Sequence, residues 1–226
     1  MGARTRRRAF LRRSAAAAAA FGIGGSSVKA QSAAQAPASP PAVKASSDWH
    51  PARHDKDNWL DLPGVHKLVF DTTSPEATAA AAQFAGNFYS ANKEAYEVDA
   101  KDLAVVICLR HDAAPFGYSE AMWAKYGAIL GEALKLTDPT TGQAPVRNLR
   151  GRGFTRLIDQ GGHFAVCSTA TRRFSGVIAR KVGGTATTES IYTELTSNLL
   201  PNSHMVAAGI IAVNRAQERG YTLCSC

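Results

Sequence analysis

The sequence predicts an α/β protein with a three-layer, flavodoxin-like fold and a mostly parallel sheet of about five strands. Short apolar runs rich in strand-forming residues alternate with longer segments of helical periodicity. The run over residues 103–109 is apolar throughout, as expected for a central parallel strand covered on both faces. The connections are short, so successive strands are expected to be joined by helical crossovers.

The elements are predicted in the order βαβαα-βα-βαβ from about residue 65 onward. Strands are expected at residues 65–70, 103–109, 161–167, 199–207 and 221–226. Helices are expected at residues 75–91, 119–134, 154–160, 171–181 and 209–219, with a short helix or an ordered loop at 186–197. The aromatic residues of the 119–134 segment fall at helical spacing, which favours core packing over a cofactor site.

The first 30 residues have the composition of an export signal. A basic segment around Arg7 and Arg8 is followed by a short Ala/Gly-rich apolar run and small residues, which is typical of a twin-arginine (Tat) signal cleaved after Ala30 or Ala36. A disordered basic tail that binds nucleic acid or membrane is the alternative. Residues 31–62, rich in Ala, Pro and Ser, are expected to be a flexible linker, with residues 63–226 forming the domain.

This assignment changes the meaning of the net charge. Residues 1–30 contain seven basic and no acidic residues, so cleavage at Ala30 lowers the formal charge from +8 to +1. A nearly neutral mature chain argues against nucleic-acid binding, and no second apolar run is long enough to cross a membrane. We therefore expect a periplasmic protein.

Cys167 is the first candidate for chemistry. It ends the predicted strand that begins at Gly161 and is followed directly by a helix, the place where ligands collect in open α/β sheets. The helix dipole, Arg172 and Arg173 would favour the thiolate form. The alternative is a small buried hydrophobe. His111, at the end of the neighbouring strand, could assist by hydrogen bonding or proton transfer, or be structural.

The other cysteines suggest further possibilities. Cys224 and Cys226 are two residues apart in a predicted strand, so both thiols should lie on one face. They could form a strained disulfide, accept sulfur or electrons from Cys167, bind a soft metal such as Cu(I), or have no shared role. Cys108 is expected to pack within its strand.

Several segments resemble one known family. They are residues 85–88, 111–116, 121–126, 164–167, 200–209 and 215–222. Over about residues 65–223 the sequence resembles the DsrE/DsrF-like proteins of sulfur metabolism, and more closely their exported relatives with twin-arginine signals. The resemblance implies the same fold. It also implies that Cys167, at the position of the family's sulfur-carrying cysteine, holds sulfur as a persulfide.

The leading hypothesis is a periplasmic protein that accepts sulfur on Cys167 and relays it, with His111 assisting. Its expected partners are sulfur-donor and sulfur-acceptor thiols and further copies of itself in a homo-oligomer, without a cofactor, a metal, nucleic acid or a membrane. One alternative is a non-catalytic periplasmic module for small-ligand binding or assembly. Another is a thiol- or copper-handling protein centred on Cys224 and Cys226. The hydrolase motif Gly-x-Ser-x-Gly, the haem motif Cys-x-x-Cys-His and a Gly-rich phosphate loop do not occur.

Overall fold

The computed structural model describes residues 50–226. Its strands are β1 (His66–Thr72), β2 (Leu103–Leu109), β3 (His163–Cys167), β4 (Ser203–Val206) and β5 (Thr222–Ser225). Its α-helices are α1 (Pro75–Tyr96), α2 (Glu120–Leu134), α3 (Gly151–Asp159), α4 (Ser168–Val182), α5 (Thr188–Thr196) and α6 (Gly209–Gln217). Three 3-10 helices complete the described part of the chain: Asp55–Leu60 before β1, Ala100–Asp102 before β2, and His111–Gly117 after β2. None of the helices within residues 50–226 has the length and apolar character needed to cross a bilayer.

The five strands form one parallel sheet in the order β4-β3-β2-β1-β5. This confirms the predicted α/β class and five-stranded parallel sheet. β2 is buried along its whole length, as its uninterrupted apolar sequence predicted.

Helices cover the two faces of the sheet unequally. Val105, Ile107 and Leu109 of β2 face a large core to which α1, α2, α3, α4 and α5 all contribute. Ala104, Val106 and Cys108 face the other way, into a smaller core completed by α6 and the 3-10 helix Asp55–Leu60. The molecule is therefore a three-layer flavodoxin-like structure with one thick and one thin helical layer.

The winding of the chain reverses after β4, so the helices that follow β3 and the helix that follows β4 lie on opposite faces of the sheet. Steps from β1 to β4 all go in one direction across the sheet and place their helices on the thick side. After β4 the chain returns through α6, on the thin side, to β5 at the opposite edge. The carboxyl ends of β3 and β4 therefore flank the topological switch point, where α/β proteins collect their ligands. In flavodoxin this point lies between the first and third strands.

The start of the domain differs from the sequence prediction. The flexible linker was expected to reach residue 62, but Leu60 is fully buried in the thin-side core. Its carbonyl oxygen accepts a hydrogen bond of 2.9 Å from the hydroxyl of Tyr221. Residues 55–62 are thus a packed part of the domain. The predicted signal peptide and the linker up to residue 49 lie outside the described residues.

Helix boundaries also differ in informative ways. α1 starts as predicted because Pro75 occupies its first turn and the Ser74 hydroxyl accepts the Ala77 N–H at 3.2 Å. It continues past the predicted end at residue 91 to Tyr96, and its C-cap, Glu97, adopts a left-handed conformation. α4 starts at Ser168, three residues earlier than predicted, and so follows β3 without a loop.

Candidate functional site

Cys167 lies at the carboxyl end of β3, beside the switch point. It is both the last residue of the strand and the N-cap of α4, so its thiol is at the positive end of the helix. The Ala170 N–H points at the sulfur, 3.5 Å away. Only 5% of the residue is exposed to solvent. The predicted position of Cys167 at a strand-to-helix junction is thus what the structure has.

Small side chains pack around this thiol. Cys167 forms a separate small cluster with Ala114, from the 3-10 helix after β2, and Ala170, from α4. All three residues are buried, so the thiol lies in an enclosed apolar cluster apart from the two larger cores.

Arg110 is a charged residue at the end of the neighbouring strand β2. β2 and β3 pair through Leu109 and Val166, so Arg110, which directly follows β2, comes next to Cys167, the last residue of β3. The guanidinium binds both carboxylate oxygens of Asp71 on β1, and these hydrogen bonds raise the pKa of Arg110. The carboxyl ends of the strands near Cys167 therefore carry the Arg110–Asp71 ion pair rather than an uncompensated cation.

The two arginines predicted to act on Cys167 are directed at carboxylates. Arg172 binds Glu189 at 2.6 Å and stacks over the ring of Tyr192. Arg173 binds Asp112, which joins the start of α4 to the segment after β2. Both cations are therefore compensated by acidic partners, and their main contacts lie away from the thiol.

His111 does not contact Cys167. Its backbone is in the left-handed region, with φ of 54°, and 65% of its side chain is exposed. The ring Nδ1 lies 3.5 Å from the carboxylate of Asp112. Ala114, three residues further on, is the residue of this segment that reaches the cysteine. The sequence placed His111 at the correct strand end, but its side chain turns outward.

The remaining cysteines are separated from Cys167. β5 lies three strands from β3, which corresponds to about 14 Å at the usual strand spacing. Direct sulfur transfer from Cys167 to Cys224 or Cys226 within one chain therefore needs a large movement. Cys108 is closer but fully buried; burial and Asp71 raise its pKa, and its thiol donates to the Gly209 carbonyl at 3.3 Å.

The structure also contains an imidazole pair that the sequence analysis missed. His163 of β3 and His204 of β4 approach to 2.9 Å between Nδ1 and Nε2. The indole of Trp59 stacks on His204, with ring centroids 4.2 Å apart. Desolvation lowers the pKa of His163; desolvation and the charge of His163 lower that of His204 to about 4. Only the adjacency of β3 and β4 could have signalled this pair.

A groove of about 640 Å³ lies on the thin side of the switch point. Its walls are residues 53–57, the end of β4 at Met205 to Ala207, and Ile211, Ala212 and Arg215 of α6. Basic and acidic side chains alternate in the first of these walls, so the groove has no dominant charge. Within residues 50–226, no group of three or more His, Cys, Asp or Glu side chains is arranged to hold a metal ion.

Comparisons with known proteins indicate no family for this chain. No protein-family model matches the sequence, and no curated protein matches it. One similar solved structure is that of the protein of unknown function MTH1491 from Methanobacterium thermoautotrophicum. The two sequences are 12% identical, and the match covers 71% of this chain and 99% of the other chain. The TM-score of the superposition is 0.40.

Proposed function

We propose that this protein accepts a sulfur atom on Cys167 as a persulfide and passes it to the thiol of another molecule. The observation that carries the proposal is the position of Cys167 at the switch point, as the N-cap of α4, in a site lined by alanines. Backbone N–H groups at a helix N-terminus stabilise negative charge on sulfur.

The reaction needs no external oxidant or reductant. The Cys167 thiolate attacks the outer sulfur of a persulfide, a polysulfide or thiosulfate, and an S–S bond to Cys167 forms as the donor's S–S bond breaks. The donor leaves as a thiolate, a shorter polysulfide or sulfite. An acceptor thiolate then attacks the outer sulfur and regenerates the Cys167 thiolate, as in ordinary thiol–disulfide exchange.

The resemblance of residues 65–223 to DsrE/DsrF-like proteins supports the same role. The predicted twin-arginine signal extends the proposal to a periplasmic carrier. We also propose a homo-oligomer, since apolar helix residues such as Ile210 and Ile211 are exposed and favour self-association. His111 is proposed to assist through solvent rather than by contact, since its exposed ring faces Asp112. Because Cys167 is only 5% exposed, the relay requires its sulfur to become accessible to the thiols of its partners.

Intact-mass spectrometry after incubation with thiosulfate or polysulfide tests this proposal. We expect the wild-type chain to gain the mass of one sulfur atom and to lose it on treatment with dithiothreitol. Cys167→Ser and Cys167→Ala should both lose the adduct while keeping the circular dichroism spectrum of the wild type. A variant with Cys224→Ser and Cys226→Ser is the matched control and should keep the adduct.

Two results would overturn the proposal. One is a wild-type protein that gains no sulfur from either donor, which would favour a non-catalytic binding module. The other is an adduct that survives in folded Cys167→Ser, which would place the reactive thiol elsewhere in the chain.

A further inference from the structure

The end of β5 places two thiols side by side at an edge of the sheet. β5 pairs with β1 alone, and the Cys226 N–H extends this pairing by donating to the Asp71 carbonyl at 3.2 Å. The segment from Cys224 to Cys226 is therefore held extended. As alternation predicts, both cysteines lie on the thick side of the sheet, packed against the large core while partly exposed.

An extended backbone fits a disulfide poorly at this spacing. Residues two apart in a strand have Cα atoms about 6.6 Å apart. Disulfides span Cα distances of roughly 4.4–6.8 Å, most often about 5.5–6 Å. Closing an S–S bond here would bend the strand end and weaken its pairing with β1. Both thiols are free in the structure.

A metal ion bound by both thiolates would strain the backbone of β5 less than a disulfide would. Metal–thiolate bonds are about 2.3 Å long, so an ion between two sulfurs accommodates a sulfur–sulfur separation of up to about 4.6 Å. Side chains on one face of a strand reach that separation without bending the backbone. The geometry of this pair thus fits two-coordinate binding better than covalent closure.

Charge favours the same arrangement. Two thiolates side by side repel each other, and a cation bound between them offsets that repulsion.

We propose that Cys224 and Cys226 bind one Cu(I) ion as a two-coordinate bis-thiolate, releasing two protons. Thiolates are the ligands that soft Cu(I) prefers. Zinc normally takes four ligands, and among residues 50–226 no third His, Cys, Asp or Glu joins the pair in a possible metal group. The site is separate from Cys167, about 14 Å away across the sheet, and its function does not depend on sulfur transfer.

The test is an anaerobic Cu(I) titration against a chromophoric Cu(I) chelator, with native mass spectrometry to count bound ions. We expect one Cu(I) per wild-type chain. Cys224→Ser and Cys226→Ser should each weaken binding by about 100-fold or more, beyond the usual effect of altering only a supporting group. Cys167→Ser and Cys108→Ser are matched single-thiol controls that should bind one ion with wild-type affinity.

Three outcomes would overturn the site. They are undiminished Cu(I) binding in the double Cys224→Ser, Cys226→Ser variant, loss of binding in Cys167→Ser, and Zn²⁺ bound by the wild type as tightly as Cu(I). Because the same double variant is expected to keep the sulfur adduct on Cys167, failure of the copper site and failure of the sulfur-carrier proposal can be told apart.

Discussion

Arg110 and Asp71 form a two-bond ion pair that joins β2 to β1 beside the candidate site. The distances are 2.7 Å from Nε to Oδ1 and 2.8 Å from Nη2 to Oδ2. The Asp71 side chain is only 12% exposed, whereas that of Arg110 is 30% exposed. Because little of the Asp71 carboxylate contacts water, Arg110 provides most of the compensation of its negative charge.

Arg110→Gln is expected to lower the free energy of unfolding by about 1–3 kcal/mol, because Asp71 would remain buried without its charged partner. Chemical denaturation at pH 7 measures the change. Lys93→Gln is the control, since Lys93 and Asp99 form an ion pair that is largely exposed to water. Its effect should be much smaller, and equal effects from the two substitutions would contradict the role assigned to Arg110.

Gly209→Ala is expected to destabilise the protein by about 1–3 kcal/mol through overpacking at the start of α6. An added Cβ would lie 2.5 Å from the Cβ of Arg110 and 3.0 Å from the Cys108 sulfur. Gly86→Ala in α1 is the matched control, since its Cβ would meet nothing within 4 Å. That substitution should stabilise the helix by up to about 1 kcal/mol. Thermal unfolding of both variants decides the matter, and a tolerated Gly209→Ala would contradict the packing described.

Leu60→Ala should cost about 2–5 kcal/mol, the usual range for removing a large aliphatic side chain from a core. Such a loss would show that residues 55–62 contribute to the stability of the folded core. Val65→Ala serves as the control because Val65 is exposed. If Leu60→Ala unfolds at the same denaturant concentration as the wild type, the segment does not contribute to the folded core.

Stability should fall as the pH drops from about 6.5 towards 4. In the folded state the pKa of His204 is lowered from 6.5 to about 4, and that of His163 is also lowered. In this window the unfolded chain therefore binds protons that the folded chain excludes, and proton binding favours unfolding. Above pH 6.5 the effect vanishes, because both states hold neutral imidazoles.

His204→Phe isolates this contribution, since phenylalanine can still stack on Trp59 but does not titrate. Urea denaturation of both proteins from pH 4 to 8 should show a shallower loss of stability in the variant. Parallel curves for the wild type and the variant would show that the stacked imidazoles do not cause the acid sensitivity.

The fold could be predicted from the sequence because each strand has a recognisable local sequence pattern. The apolar run of β2 and the short run ending at Cys167 indicate buried strands, and the intervening helical segments require parallel pairing. The position of Cys167 follows from the same local pattern. What the pattern lacks is side-chain direction, so the outward turn of His111 could not be predicted.

Long-range contacts account for the other differences. Residues 50–62 look like a linker because their few apolar residues show no periodicity, yet Leu60 and Trp59 find partners more than 100 residues away, at Tyr221 and His204. His163 and His204 are likewise 41 positions apart and meet only because β3 and β4 are neighbours. Contacts between residues so far apart in the sequence cannot be recognised from the pattern of any one short segment.

The thin layer of the sheet has a consequence for how the molecule opens. α6 is nine residues long, and its Ile210 and Ile211 are exposed, so detaching it with the 3-10 helix Asp55–Leu60 disrupts far less apolar contact than opening the five-helix side. Partial unfolding follows the least stable contacts first. Local unfolding of the thin layer, with the thick layer and the sheet still folded, would expose Cys108 to water. The Cys108 thiol is inert in the fully folded protein, so its rate of reaction with a thiol reagent would report how often the thin layer opens.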